Sequence, residues 1–134
     1  MIAAALALLL AAAQASTPGD PALSGLDMEG WEVAARGAHG SIVLMHPALG
    51  DQIPGFPQIW VRTEPLAPRA TPSDLQRFEV DCRKHRMRLL EAYRYPTRDL
   101  RGAKQTLFIG SAPWDGLPMG AGWAPIYATA CVGQ

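Results

Sequence analysis

The sequence predicts an α+β domain that is mostly β: about six short strands, one short C-terminal helix and a single disulfide. Three observations predict it. Pro and Gly are frequent, 12 and 13 in 134 residues, and they separate short runs in which apolar and polar residues alternate. One late segment, Trp123–Cys131, carries helical spacing instead. The only two cysteines, Cys82 and Cys131, follow an export-type leader.

The leader is the apolar run at residues 2–13, followed by Ala13-Gln14-Ala15, which fits small-x-small cleavage. The reading is a signal peptide over 1–15, with Ser16 as the mature N-terminus. A bilayer-spanning helix needs about 20 apolar residues, so the run is too short for an anchor, and no transmembrane segment is expected after cleavage. Residues 16–30 are Pro-, Gly- and Ser-rich without periodicity and read as a flexible N-terminal tail, which places the domain at 31–134.

The first strand is read in Trp31–Arg36, with Trp31, Val33 and Ala35 on one face. Gly37–Gly40 turns the chain into a second strand, Ser41–Met45, as a hairpin. His46 to Pro57 is punctuated by prolines and glycines and reads as loop. Gln58–Leu66 is a third strand, where Trp60, Arg62 and Glu64 alternate with Ile59, Val61 and Thr63. Ala67–Ser73 is a connector.

The clearest hairpin is next. Phe78, Val80 and Cys82 alternate with charges, and Met87 and Leu89 alternate with Arg86 and Arg88. A turn at Lys84-His85 sets Cys82 opposite Met87, Val80 opposite Leu89 and Asp81 opposite Arg88. Lys-His is a poor two-residue turn, so a longer loop is the alternative. The second strand of this hairpin runs on until Pro96, although Leu90 and Glu91 break its alternation. Lys104–Gly110 is the sixth strand, with Leu107 and Ile109 on one face. In the closing helix Ile126 and Ala130 share a face with Trp123.

In an exported chain two cysteines ordinarily pair, and a loop of 49 positions then contributes about 4 kcal/mol by the chain-entropy model. The alternative is a reactive Cys82, since Arg83 and Lys84 beside it lower a thiol pKa.

The order of these pieces resembles a known family. An apolar leader precedes Trp31 and a hairpin ending in His46-Pro47-Ala48. Ile59-Trp60-Val61-Arg62, Glu79-Val80-Asp81-Cys82 and Arg86-Met87-Arg88-Leu89-Leu90 follow, then a late Trp and Cys131. Over residues 31–131 the chain resembles the surface-adhesin protein E family of bacterial envelope proteins. The resemblance implies an antiparallel sheet of about six strands with a helix packed on it, and a disulfide between Cys82 and Cys131. It also implies adhesion to host matrix proteins. The chain departs from the family pattern at His46, in the Gly- and Pro-rich stretch from Trp114 to Trp123, and in having no lipidation cysteine.

The formal net charge is zero, so no global field drives the chain to nucleic acid or membrane. Charge is local instead. Nine basic residues lie between Arg77 and Lys104 against four acids, Glu79, Asp81, Glu91 and Asp99. Arg83, Lys84, Arg86 and Arg88 at the hairpin are the candidate ligand-binding cations. They read either as a solvated tip or as a patch for an anionic ligand. Trp114 and Trp123 are candidates to line a groove, Trp31 reads as core, and Trp60 points away from Ile59 and Val61.

His39, His46 and His85 show no metal-ligand spacing, so no metal or cofactor is expected. A Cys82–His85 nucleophile pair lacks an orienting group and an oxyanion site. The expected function is therefore that of an exported, non-enzymatic, adhesin-like envelope protein, periplasmic or at the cell surface. Its expected partner is a protein or an anionic polymer at the envelope, not nucleic acid. The alternative is a periplasmic assembly accessory that contacts another envelope protein through a sheet edge.

Overall fold

Short alternating runs joined by tight turns pair with their neighbours in sequence, and here they make an antiparallel meander. The structure is a computed structural model and describes residues 20–47, 53–66, 71–116 and 123–133. The expected leader over 1–15 lies outside the described residues.

The strands are β1 (Glu32–Arg36), β2 (Ile42–Pro47), β3 (Gln58–Glu64), β4 (Ser73–Asp81), β5 (Arg86–Tyr95) and β6 (Gln105–Ile109). They lie side by side in chain order, every pair antiparallel. A two-residue strand, β7 (Asp115–Gly116), pairs with the start of β5. One helix, α1 (Trp123–Ala130), packs against β1, β2 and β3. No helix among the described residues is long and apolar enough to cross a membrane.

Alternation sorts side chains between two faces. On one, Met45, Ile59, Val61, Val80 and Met87 form the main core with Ile126 of α1. Trp123, Tyr127 and Ala130 pack against it, as the helical spacing predicts. Cys82 and Cys131 are joined, with Cα atoms 5.8 Å apart. The Tyr127 hydroxyl donates to the Cys82 carbonyl at 2.7 Å. The helix is thus tied to the β4–β5 hairpin both covalently and by a hydrogen bond.

The opposite face carries a second, smaller cluster. Ile42 and Leu44 of β2 are fully buried there by Ala22, Leu23, Leu26, Met28 and Trp31. This corrects the expectation of a flexible tail for the part of 16–30 that is described. Residues 20–30 form turns, and Arg98 grips them by donating to the carbonyls of Ala22 and Ser24 while its Nε donates to Pro65 O. The segment has neither helical nor strand period, so periodicity carries no sign of it.

Three other expectations shift. The β4–β5 register pairs Val80 with Met87 and Asp81 with Arg86, so the loop is the four residues 82–85 and not Lys84-His85 alone. His85 takes a positive φ of 51° to close it. A bulge leaves Leu90 unopposed, because Leu89 pairs with Phe78 and Glu91 with Arg77. That is why alternation fails at Leu90 and Glu91. In β1 a second bulge between Val33 and Ala35 turns Ala34 toward the main core and leaves Val33 exposed, reversing the predicted face. His46 and Pro47, read as loop, extend β2.

Candidate binding face

The sheet face opposite α1 is covered at β2 by residues 20–31, and Arg62, Glu64, Glu79 and Asp81 are buried on it; among the described residues it is partly exposed at Trp60, Leu75, Arg77, Glu91 and Tyr93. Register decides what lies on it. His46, Trp60, Arg77, Glu91 and Ile109 form one row across five strands. Leu44, Arg62, Leu75, Tyr93 and Thr106 form the next. Toward the hairpin, Glu79 pairs with Arg88 and Asp81 with Arg86.

These rows build a ladder of ion pairs interleaved with indoles. Arg86 Nε meets Asp81 Oδ2 at 2.9 Å, and Arg88 Nη2 meets Glu79 Oε1 at 2.6 Å. Both guanidinium groups lie over the Trp114 ring, 4.8 and 4.2 Å from its centroid. Phe56 flanks the same indole at 6.0 Å. Further along, Arg77 donates to Glu91 and to Gln58 Oε1 and lies 5.6 Å from the Trp60 centroid. Tyr93 donates its hydroxyl to Glu91 at 2.9 Å, and this hydrogen bond, chief among the causes, raises the phenol pKa. Lys104 Nζ sits 4.1 Å from the Tyr93 centroid.

Chemically, the paired charges of this surface balance, with Lys104 over Tyr93 beside them. Three cations, Arg77, Arg86 and Arg88, face three carboxylates, Glu79, Asp81 and Glu91. Burial pushes the Asp81 carboxyl up, but Arg86 and the amides of Lys84 and Arg83 outweigh it, so its pKa lies below the usual value. Each of the three guanidinium groups is thus paired with a carboxylate and also lies over an indole ring.

The sequence candidates divide accordingly. Arg86, Arg88 and Trp114 come together. Arg83 and Lys84 are exposed at the hairpin tip and do not join the ladder. Of the four candidate cations, Arg86 and Arg88 hold Asp81 and Glu79. Trp123 is corrected too. It lies on the other face, edge-on to Phe78 at 5.2 Å within the main core, and lines no groove with Trp114. Cys82 has no thiol to offer, since it is disulfide-bonded. Among the described residues no three His, Cys, Asp or Glu side chains gather as metal ligands.

Sequence reasoning missed Arg77, Glu91 and Tyr93, which need the β4–β5 register to be seen beside Trp60. It placed Trp31 in the core, where Trp31 does pack on the Ile42–Leu44 cluster; its ring also meets His46 edge-on at 5.2 Å on the open face.

A larger concavity, about 830 Å³, lies elsewhere, beside the 97–101 turn and residues 21–25. Its cations are already committed. Arg98 spends its donors on three backbone carbonyls, and Arg101 pairs with Asp99 at 3.2 Å. Asp99 and Leu100 both take positive φ there, 70° and 54°. The turn is held by Ser73 Oγ, which accepts from the Leu100 amide, and by Glu64, which accepts from the Asp99 amide. Arg62, 2% exposed, joins Glu64 and Asp99 beneath it. This end of the sheet is a structural clamp.

Comparison with family models, with curated proteins and with solved structures finds no match for the chain.

Proposed function

We propose that this chain is an exported bacterial envelope protein that acts by binding, without a catalytic step, through the open Arg–Trp face. The observation that carries the reading is the ladder itself. Three Arg–carboxylate pairs alternate with Trp60 and Trp114 on a rigid sheet, and half-buried aromatics beside Arg are the residues that dominate recognition surfaces. The Cys82–Cys131 bond fits an oxidising compartment, where such pairs form and persist. The resemblance to surface-adhesin protein E points the same way. Balanced charge favours a partner of low net charge over the anionic polymer that the bare sequence suggests.

The test is location. In its native bacterium, intact and lysed cells are treated with a membrane-impermeant lysine label. Labelling of intact cells supports the adhesin-like form, and labelling only in a periplasmic extract supports a periplasmic one. Recovery of the uncleaved, reduced chain in the cytoplasm contradicts the proposal.

A second reading, an assembly accessory, is favoured by one observation. β6 ends the sheet, and Leu107 and Ile109 are 47% and 70% exposed on it. A Leu107→Lys variant, at an edge residue outside the Trp60–Arg77–Glu91 row, that loses crosslinking to a single envelope protein would favour this reading over the first.

A further inference from the structure

Trp31, His46, Pro47, Trp60 and Leu75 enclose a cleft of about 290 Å³ on the open face. We propose that this cleft holds one ring of a neutral glycan, with the adjoining Arg77–Glu91 pair binding hydroxyls of the next unit. The inference rests on the binding reading above and names the ligand class for the same face.

Size is the first argument. The cleft sits at the bottom of the range for ligand pockets, roughly 300–1,000 Å³, which suits one ring of a longer molecule. Its walls are the second. They are indole, imidazole and aliphatic, and the C–H face of a pyranose packs on such rings as an apolar surface. They are also set in advance. The Trp31 ring meets His46 edge-on, and the Arg62 guanidinium lies over it at 5.4 Å. His46 Nδ1 donates to the Pro47 carbonyl at 2.6 Å. Gly30, at φ 79°, lies against the imidazole so closely that a Cβ there would run into it. A site ordered beforehand loses less entropy on binding.

Charge is the third argument. Arg62 is paired with Glu64 and Asp99, and Arg77 with Glu91. A charged group seated against Arg62 or Arg77 would compete with the carboxylates they already hold. A hydroxyl need not, because it donates and accepts at once. The Tyr93 hydroxyl on Glu91 and the Gln58 carbonyl on Arg77 already show both halves of that geometry. Topology is the fourth. β2, β3 and β4 are interior strands whose backbone groups are used by their neighbours, so a peptide cannot add here as a strand. Recognition must run through rings and side-chain polar groups.

The test uses the leader-free, disulfide-intact chain, titrated by tryptophan fluorescence and calorimetry with neutral tetrasaccharides of glucose, mannose and N-acetylglucosamine. Saturable binding to at least one is expected, near millimolar or tighter and little changed by salt up to about 0.5 M. Trp60→Ala should weaken it about tenfold or more, and Trp60→Phe, which keeps a ring, should retain most of it. An amide fingerprint spectrum checks that both variants are folded. No saturation by any of the three at about 10 mM overturns the inference, as does unchanged affinity in folded Trp60→Ala. Tighter binding of a proline-rich peptide at the same cleft also overturns it. Retention on cell envelopes without oligosaccharide binding would sink the glycan assignment alone; loss of both would sink the binding reading with it.

Discussion

The Arg88 guanidinium lies 4.2 Å from the Trp114 ring centre while its Nη2 holds Glu79 at 2.6 Å. One planar cation is gripped by a carboxylate and capped by an indole. Arg86 repeats the arrangement on the same ring with Asp81. Trp114 precedes a strand of only two residues, so these guanidinium groups do much to fix where it sits. Arg88→Ala should therefore loosen Trp114. A cation–π contact at a partly exposed site is worth about 0.5–1 kcal/mol, and Glu79, 7% exposed, also loses its partner, so stability should fall by more than that. Acrylamide quenching of tryptophan emission should rise. Arg88→Lys should restore the charge but not the plane, and quenching should stay raised.

The disulfide closes a loop of 49 residues between the hairpin and α1. Replacing both Cys82 and Cys131 with Ser should cost about 4 kcal/mol in denaturant unfolding. Thiol titration of the native oxidised chain should find no free thiol, since both cysteines are bonded. One free thiol per chain would contradict the pairing.

Arg62 and Glu64 are the most buried charges of the sheet, at 2% and 0% side-chain exposure. No buried side-chain polar atom among the described residues lacks a hydrogen-bond partner. Arg62→Ala would strand Glu64 without its cation and leave Asp99 only the exposed Arg101, and removing one partner of a buried pair costs about 3–5 kcal/mol. Arg62→Met, of similar length, should cost a comparable amount, because both carboxylates stay behind. Combining it with Glu64→Gln should recover part of the loss. Urea midpoints of the three variants check this.

Acid should destabilise the same clamp. Burial raises the Asp99 carboxyl, but the Asp27 amide, Arg62 and Arg101 together hold its pKa below the usual value. A folded pKa below the unfolded one contributes stability that is complete above about pH 4. That stability is lost as pH falls through the lower folded value. Asp81 acts in the same direction. Urea midpoints measured between pH 7 and acid should fall below about pH 4, and more shallowly in Asp99→Asn than in the parent.

Much of the fold was legible because β2, β3 and the stretch from Phe78 to Leu89 alternate cleanly, and α1 carries helical spacing over Trp123, Ile126 and Ala130. What escaped has physical causes. Bulges at Leu90 and in β1 add a residue that alternation cannot count. Residues 20–30 bury Ala22 through turns, which have no period. Arg86, Arg88 and Trp114 were visible as residue types, but their assembly depends on the Asp81–Arg86 register, two positions away from the one the Lys84-His85 turn implies. Trp60 was rightly turned away from the core. Its neighbours Arg77 and Leu75 belong to a strand half that the sequence left unread.

Binding through Trp60 and Trp114 is measured most directly by co-sedimentation of the oxidised chain, residues 16–134, with washed envelopes of its source cells, for the parent and for Trp60→Ala/Trp114→Ala. The parent should sediment saturably, and the folded double variant should lose about tenfold or more of that affinity. Equal sedimentation of the two, or none by the parent, would contradict it.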